Sequence, residues 1–434
     1  MEQAYPAVTY ATQFACIGAD CEDTCCGGWT VPVDQPAFDR FQQLPPSQLK
    51  TDLLASIELK NAPSPHFAVL RMKEDHSCPL LTSNKLCSLH ATHGAEMLAN
   101  TCRQYPRYSQ SINGQTEISL ALSCPEAARL VLLHPALLEQ STLHDPLAFS
   151  ATPEADADTP LLAWAGPVRR LVLWIVAGQQ NYPLWQRMFL LRILCHRLDA
   201  LHANNTEERI PALLADFHSR ILSGTLRASM DRLPASTEVQ LDAVLQLAGL
   251  LLSQSNLTPR FLECVHAFTT GIGNGPGATL ASLSAGYDRA RDQWLAPFLV
   301  QQPKMLENWL VNAILCHRFP FGSLNREDRQ ATSAVDQFEA LAANFALMRG
   351  LLTGVAGFHR DNFSSAHAIH TMQSASRHFE HHPDFLPKAR TLLRTAGLND
   401  LHGMSKLLND APLQKRFLVA DRNPEQASLS TTHH

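Results

Sequence analysis

The cysteines of this chain are concentrated at one end, and that distribution limits what the chain can fold into more than any other feature of the sequence. Three of the 11 cysteines lie in apolar, helix-like sequence and are typical of small buried side chains: Cys195, Cys264 and Cys316. The other eight read C-x4-C-x3-C-C and then four wider-spaced positions: Cys16, Cys21, Cys25, Cys26, Cys78, Cys87, Cys102 and Cys124. So many thiols in a short segment predict that a metal, more than a large apolar core, holds this part together.

Three kinds of structure could account for the eight thiols. Disulfides need an oxidising compartment, and residues 1–16 have no cationic stretch followed by an apolar one, so we expect no secretory signal and rank disulfides last. Structural zinc normally uses paired C-x2-C elements, which this sequence lacks. Thiolates gathered from several loops suit an iron–sulfur cluster or an irregular zinc site, because both metals favour sulfur ligands. The spacing predicts a metal site and leaves its type open.

The adjacent pair Cys25-Cys26 limits which thiols can bind the same metal. Neighbouring side chains diverge unless the backbone turns sharply, and the glycines at 27 and 28 allow such a turn. Both thiols therefore need not bind one ion. The ligands that we favour, because short loops and a helix before Tyr105 could bring them together, are Cys21, Cys25 or Cys26, Cys87 and Cys102. A reserve set consists of Cys16, Cys78 and Cys124.

Charge and hydropathy exclude some partners. Lys+Arg 35 against Asp+Glu 40 leaves a net charge of −5, which argues against a dedicated binder of nucleic acid or of an anionic membrane. A membrane-spanning helix needs about 20 apolar residues, and the longest apolar stretch that we find is residues 171–178. We therefore expect a cytoplasmic protein with no membrane partner.

The periodicity of apolar residues predicts a mainly α fold with three parts: a cysteine-rich, loop-rich metal module over residues 1–125, a helical domain over 126–270 and a helical C-terminal domain over 271–434. In the first part, strands are predicted over 66–72 and 118–122 and a helix over 86–102. Exposed loops are predicted at 150–159 and 271–277, and a frayed tail at 423–434. Helices are predicted over 126–138, 161–179, 184–201, 208–222, 239–252, 259–270, 280–300, 305–317, 331–352 and 366–380.

Five stretches of the N-terminal third form motifs: CIGADCEDTCCGGW at 16–29, CPLL at 78–81, LC at 86–87, TCRQYPR at 101–107 and SLALSCPE at 119–126. Together they resemble the bacterial flagellin lysine-N-methylase family. The Cys-Cys and Cys-Arg portions occur in a broader group of cysteine-rich proteins thought to chelate zinc or iron. The longer strings, with Gly-Trp, Tyr-Pro-Arg and Ser-Cys-Pro-Glu, are more specific to the methylase.

The resemblance implies a cytoplasmic enzyme of the bacterial flagellum that moves methyl groups from S-adenosylmethionine to lysine side chains of flagellin before export. It also implies a [4Fe–4S] cluster. Three cysteine ligands would leave an iron open to the methionine part of the cofactor, whereas four would favour a structural role. The sequence has no G-x-G-x-x-G, so a Rossmann-type nucleotide loop is not indicated. The helical body is expected to bind flagellin over a large surface, and the oligomeric state is left open.

Lysine methylation makes demands that a few residues could meet. The amine must lose its proton before it attacks, since the lysine pKa is about 10.4 in water. Tyr105 and Tyr108 are the candidate catalytic residues, because a phenol can accept a hydrogen bond from the amine and a ring can face a sulfonium cation. The alternative for each is simple packing. Arg103 and Arg107 could hold the cofactor's carboxylate, or could balance the charge of a thiolate-bound cluster. Trp29 is predicted to be a core anchor of the metal module.

A second hypothesis comes from a different class. The chain could be a non-catalytic protein-binding or chaperone-like module whose cysteines hold zinc or iron structurally. Binding of S-adenosylmethionine separates the two hypotheses better than the identity of the metal does, because a passive chaperone has no use for a methyl donor.

Overall fold

The computed structural model describes residues 4–61, 64, 66–112, 115–138, 140–144, 164–178, 181–254, 256–322, 333–382 and 384–410. The predicted loop at 150–159 and the predicted tail at 423–434 lie outside these ranges. Within them the protein is mainly helical, with a few short strands in its cysteine-rich N-terminal part. The predicted fold class is therefore confirmed.

The N-terminal part alternates short helices with short strands. Its helices are α1 (Thr9–Gln13), α2 (Gln35–Gln42), α3 (Gln48–Ala55), α4 (Ser88–His93), α5 (Asn100–Gln104) and α6 (Pro125–Leu132). Its strands are β1 (Ala4–Val8), β2 (Val31–Val33), β3 (Ile57–Leu59), β4 (Ala68–Leu70), β5 (Arg107–Ile112), β6 (Gln115–Leu120) and β7 (Gln140–His144). The strands form a four-stranded sheet of order β5-β6-β1-β7 and a three-stranded sheet of order β2-β4-β3. In the larger sheet β1 runs parallel to β6 and antiparallel to β7.

The single helix predicted over 86–102 is wrong, because two short helices, α4 and α5, occupy that segment. Gly94 follows α4 with φ 82°, a left-handed conformation that ends a helix and that glycine adopts at low cost. Asp34 then ties the second helix to another element. One of its carboxylate oxygens caps α2 at the Ala37 N–H (2.9 Å), and the other accepts the Asn100 N–H at the start of α5 (2.8 Å).

Thirteen helices form the described part of the helical body. They are α7 (Ala165–Leu173), α8 (Leu184–Ala203), α9 (Ile210–Leu222), α10 (Arg227–Met230), α11 (Thr237–Leu252), α12 (Pro259–Gly271), α13 (Leu280–Ala290), α14 (Ala296–Gln301), α15 (Met305–Cys316), α16 (Ala334–His359), α17 (Ser365–Glu380), α18 (Phe385–Thr395) and α19 (Leu401–Leu408). The helix predicted over 280–300 is split by a π-helical turn, Arg291–Leu295, between α13 and α14. A second π turn, Trp174–Gly178, follows α7.

Helix α16 is the centre of the body. Contrary to the sequence expectation, the segment Ala334–Asn362 is long and apolar enough to cross a membrane by length and composition alone, but 94% of its most apolar window is buried inside the fold. It begins at a capping box in which Ser333 and Asp336 satisfy each other's backbone N–H groups. One apolar cluster surrounds it and contains residues from Tyr10 to Leu408. A second, smaller apolar cluster lies in the N-terminal part, around Val31, Phe41 and Leu70.

Candidate functional site

Four of the eight N-terminal cysteines pack against the smaller apolar cluster: Cys26, Cys78, Cys87 and Cys102. We call these four the thiol core. Short backbone contacts assemble it, since the Cys78 N–H donates to the Cys26 carbonyl (2.8 Å) and an isolated β-bridge joins Leu81 to Cys87. Cys87 precedes α4 directly, and Cys102 lies in α5. Two short loops and two short helices thus deliver four thiols to one apolar surface.

These four thiols lie close enough together that a negative charge on one opposes the ionisation of another. Burial raises the pKa of Cys102, and the charges of Cys26, Cys78 and Cys87 raise it further. Burial raises the pKa of Cys78 to about 11, with smaller contributions from Cys26 and Cys87. A hydrogen bond with Cys25 is the largest cause that raises the pKa of Cys26, ahead of burial. The thiols of Cys25 and Cys26 therefore meet each other and do not diverge.

A second group of thiols lies on the side of α6. Cys124 precedes that helix, and burial raises its pKa to about 12, with contributions from Cys21 and Cys16. Cys16 and Cys25 are exposed, and all 11 cysteines are free thiols. Of the ligands favoured from the sequence, the structure brings Cys26, Cys87 and Cys102 together, adds Cys78 from the reserve set, and places Cys21 with Cys16 and Cys124.

The donor set of the thiol core fits a soft metal better than a hard one. Four free thiols that share an apolar surface are the ligands that iron–sulfur clusters and zinc prefer. Across the described residues, however, three or more His, Cys, Asp or Glu side chains nowhere converge on one point in the geometry that a single ion needs. A cluster carries its iron and sulfide over several ångströms, so it does not require its thiolates to meet at one point. The chemistry of the donors therefore fits a cluster.

Helix α17 of the helical body holds the C-C-G-G-W motif in place. Arg377 donates to the carbonyl oxygens of Thr24 and Gly27 (both 2.7 Å) and forms an ion pair with Asp23 (2.7 Å). Gln373 donates to the second carboxylate oxygen of Asp23 (2.9 Å). Both ends of the Arg377–Asp23 pair are mostly buried, with side-chain exposures of 11% each. The motif is thus fixed by side chains some 350 positions away along the chain.

Where α17 ends, four residues meet around Ser123: Trp29, Tyr105, Glu380 and His381. We call them the Ser123 junction. The Tyr105 hydroxyl donates to Ser123 Oγ (3.2 Å), and His381 Nε2 lies 3.0 Å from the same oxygen. The Trp29 ring stacks on His381 at 5.3 Å between centroids and lies 5.9 Å from Tyr105. The three rings are partly exposed, so the predicted role of Trp29 as a core anchor describes only part of its surroundings.

Glu380 gives this junction an unusual carboxyl group. The Ser123 N–H donates to Glu380 Oε2 at 3.3 Å. Burial raises the pKa of the Glu380 carboxyl to about 7, and hydrogen bonds with Ser123, Leu122 and Ser376 offset only part of that effect. A carboxyl group with such a pKa can accept a proton at neutral pH and hold it, which is what a general base requires.

The other sequence-predicted residues lie at different positions. Tyr108 is on β5, in register with Ser119 of β6. Arg103 donates to Asn100 Oδ1 in its own helix (3.2 Å). Arg107 donates to the Phe14 carbonyl (3.0 Å), and its guanidinium lies 4.9 Å from the centre of the Phe14 ring. Of the predicted catalytic tyrosines and cofactor-binding arginines, only Tyr105 belongs to the Ser123 junction.

Sequence reasoning missed Glu380, His381, Gln373 and Arg377. Gln373, Arg377 and Glu380 lie in the C-terminal half of a helix that was predicted correctly, and His381 follows it, but no local pattern indicates that this helix end lies against Tyr105 and Trp29. The run His378-Phe379-Glu380-His381-His382 is rich in titratable side chains, and that was the only available signal.

Comparison with known proteins identifies a matching family model and several relatives. Residues 170–407 match the family model described as the FliB lysine N-methylase C-terminal domain. A lysine-N-methylase of Salmonella typhimurium is 28% identical over 157 residues, which are 35% of this chain and 39% of that protein. The protein FliU of Salmonella muenchen, named a flagellar biosynthetic protein, is 28% identical over 127 residues, 29% of this chain and 75% of that protein. The match thus spans about two fifths of the curated methylase's length.

No solved structure is significantly similar to this chain.

Proposed function

The chain belongs to the FliB lysine N-methylase family, and from that membership we propose that it transfers methyl groups from S-adenosylmethionine to lysine side chains of a flagellar protein, flagellin. We expect the reaction to take place in the cytoplasm, before flagellin is exported. The relatives named lysine-N-methylase and FliU support the reaction type and the flagellar substrate.

One observation carries the proposal. The family-matched region, residues 170–407, and the cysteine motifs build a single site, because residues of α17 and the residue after it contact the motifs: Gln373, Arg377, Glu380 and His381. A metal module that served only to stabilise the fold would not need the polar and aromatic groups of the junction beside it. A proton-accepting carboxyl group, three rings and a thiol core within one interface favour chemistry over passive binding.

In this account the thiol core holds a [4Fe–4S] cluster through Cys26, Cys78, Cys87 and Cys102. Held by four thiolates, such a cluster would leave no iron open to a ligand and would supply electron transfer or structural support. The residues of the chain do the rest. Arg377 and Asp23 fix the cysteine loop, the apolar cluster around Val31 and Phe41 packs against the thiols, and Glu380 accepts the proton that the substrate amine must lose.

The proposal is tested on protein purified without oxygen. We expect iron and sulfide at about four each per chain and visible absorption near about 400 nm, as for a thiolate-bound [4Fe–4S] cluster. Cys78→Ser should lose most of the iron, whereas the matched control Cys195→Ser, which removes a buried thiol of the helical body, should retain it.

Equilibrium dialysis with labelled S-adenosylmethionine then separates the two function classes. A methylase binds the donor with at most one site per chain, and a chaperone-like module does not bind it. A colourless protein that carries stoichiometric zinc and fails to bind the donor would contradict the proposal and would favour the non-catalytic alternative.

A further inference from the structure

We propose that the Ser123 junction is the receptor for the side chain of the substrate lysine, with the Trp29 and Tyr105 rings binding its ammonium group and Glu380 accepting its proton. This inference rests on the proposed function, since it assigns the substrate site of that same reaction.

The rings of the junction have the geometry of a cation-binding surface. An ammonium group is attracted to the face of tryptophan most strongly, and to tyrosine, within about 6 Å of the ring centre. Trp29 and Tyr105 lie 5.9 Å apart between ring centres with an angle of 31° between their planes, so the two rings are close neighbours with nearly parallel planes. His381 supports the indole from one side, at 27° to its plane. Because the ring centres are 5.9 Å apart, one alkylammonium group can lie within about 6 Å of both.

Exposure distinguishes this tryptophan from those that serve the core. Trp185 and Trp309 are each 2% exposed and pack in the larger apolar cluster. Trp29 is partly exposed, and its indole N–H is bound to the Cys25 carbonyl at 2.8 Å, which fixes the ring without covering it. A ring that is fixed and partly open to solvent can bind a ligand with little loss of side-chain entropy.

The charges around the junction favour a cation. Glu380 is the carboxylate at its base, whereas burial raises the pKa values of Tyr105 and Cys124 and keeps both groups neutral. The nearest arginine on α17, Arg377, is neutralised by Asp23 and bound to two carbonyl oxygens. An incoming ammonium group therefore meets a carboxylate and aromatic faces.

The proton moves directly from the substrate amine to Glu380, with no other group involved. The lysine Nζ–H bond breaks, its proton forms an O–H bond with a Glu380 carboxylate oxygen, and the electron pair stays on Nζ as the lone pair of a neutral amine. The raised pKa of Glu380 lies closer to the pKa of a partly desolvated amine than the pKa of an ordinary glutamate does. The proton transfer is therefore less unfavourable. The amine is then ready to accept a methyl group from the sulfonium donor.

Binding of two small probes tests the receptor without any turnover. Nα-acetyl-lysine methylamide carries the ammonium group, and its Nε-acetylated analogue lacks the charge. We expect saturation-transfer NMR to detect the charged probe on the wild-type protein and to show about tenfold weaker binding to Trp29→Leu and to Glu380→Gln. Phe358→Leu, which changes an exposed ring elsewhere on the surface, should bind as the wild type does.

Kinetics with flagellin provide the second measurement. Trp29→Leu should raise KM for flagellin about tenfold with KM for the methyl donor unchanged, whereas Glu380→Gln should raise KM for flagellin and also lower kcat. Trp29→Phe keeps an aromatic face and should recover most of the affinity. Circular dichroism shows whether Trp29→Leu is folded, and if it is not, Trp29→Phe still tests the role of the ring.

The two possible failures are distinguishable. If the wild-type protein methylates flagellin but all the junction variants bind the charged probe and flagellin normally, the receptor assignment is wrong. If the wild-type protein binds the charged probe through Trp29 but transfers no methyl group to any flagellin lysine, the proposed function is wrong.

Discussion

Glu380 shows at the residue scale how burial produces a group suited to proton transfer. Its carboxylate accepts hydrogen bonds that would ordinarily lower its pKa, yet burial at the end of α17, against the loop that holds Ser123, outweighs them. The same burial that raises the pKa also destabilises the folded protein when the group ionises, because the unfolded chain keeps the ordinary value. A functional carboxyl of this kind is therefore visible as a dependence of stability on pH.

The sign of this dependence follows from the direction of the shift. The folded-state pKa of Glu380, about 7, lies above the unfolded value, so its contribution to stability is complete below about pH 4.5 and is lost as the pH rises through about 7. We expect the free energy of unfolding of the wild type to fall relative to Glu380→Gln across this window, by at most about 3 kcal/mol. Urea titrations at several pH values measure it.

A matched variant controls this measurement. Glu208→Gln removes an exposed carboxyl elsewhere on the protein. The difference between its free energy of unfolding and that of the wild type should not follow the pH dependence expected for Glu380→Gln. Parallel curves for the wild type and Glu380→Gln would contradict the raised pKa.

At the scale of elements, the helical body is the part that the sequence predicts well. Helices α11, α12 and α17 begin and end within two residues of their predicted bounds, because their apolar residues follow a regular period and residues such as Ser236 and Thr258 cap them. α18 was missed although Phe385, Leu386, Ala389 and Leu393 form its buried face. The split at Gly94 comes from a left-handed glycine that ends α4, and neither this split nor the π turn after α13 appears in a helical period of apolar residues.

The contact between α12 and α16 is a close approach of two backbones. A Cβ atom at Gly354 would lie 2.5 Å from the Phe268 carbonyl oxygen and 2.4 Å from its ring, so Gly354→Ala must push the helices apart. We expect it to destabilise the protein by about 1–3 kcal/mol. Gly249→Ala is the matched control, since it also lies within a helix but nothing is within 4 Å of an added Cβ. It should stabilise the protein by about 0.5–1 kcal/mol. Thermal unfolding compares the two, and equal Tm values would contradict the packing.

Helix α17 is the element that joins the two parts of the site. Arg377→Gln leaves Asp23 mostly buried without its ion-pair partner, which should cost about 3–5 kcal/mol. The structural result should be local, with faster amide hydrogen exchange at residues 23–28. Arg220→Gln breaks an exposed pair with Asp216 and should cost about 0.5 kcal/mol or less. Unchanged exchange over 23–28 in Arg377→Gln would show that α17 does not hold the cysteine loop.

At the scale of the whole molecule, the sequence predicts the parts of the site but not their assembly. Tyr105 and the cysteines were identifiable because they stand in motifs, and metal chemistry restricts what clustered thiols do. The selection of Cys78 and not Cys21 for the thiol core depends on two isolated β-bridges at Gly27–Ser77 and Leu81–Cys87. The meeting of Glu380 with Ser123, 257 positions apart, is a long-range contact that no local pattern specifies.

The central claim is that these distant parts form one methyl-transferring site. Its most direct test is to incubate the anaerobically purified protein with flagellin and S-adenosylmethionine and to map methylated lysines on flagellin by mass spectrometry. The account predicts methyl groups on lysine Nζ with the wild type and with Phe358→Leu, and loss of most of them with Glu380→Gln and Cys78→Ser. Unmodified flagellin with a wild-type protein that is folded and loaded with iron would contradict it.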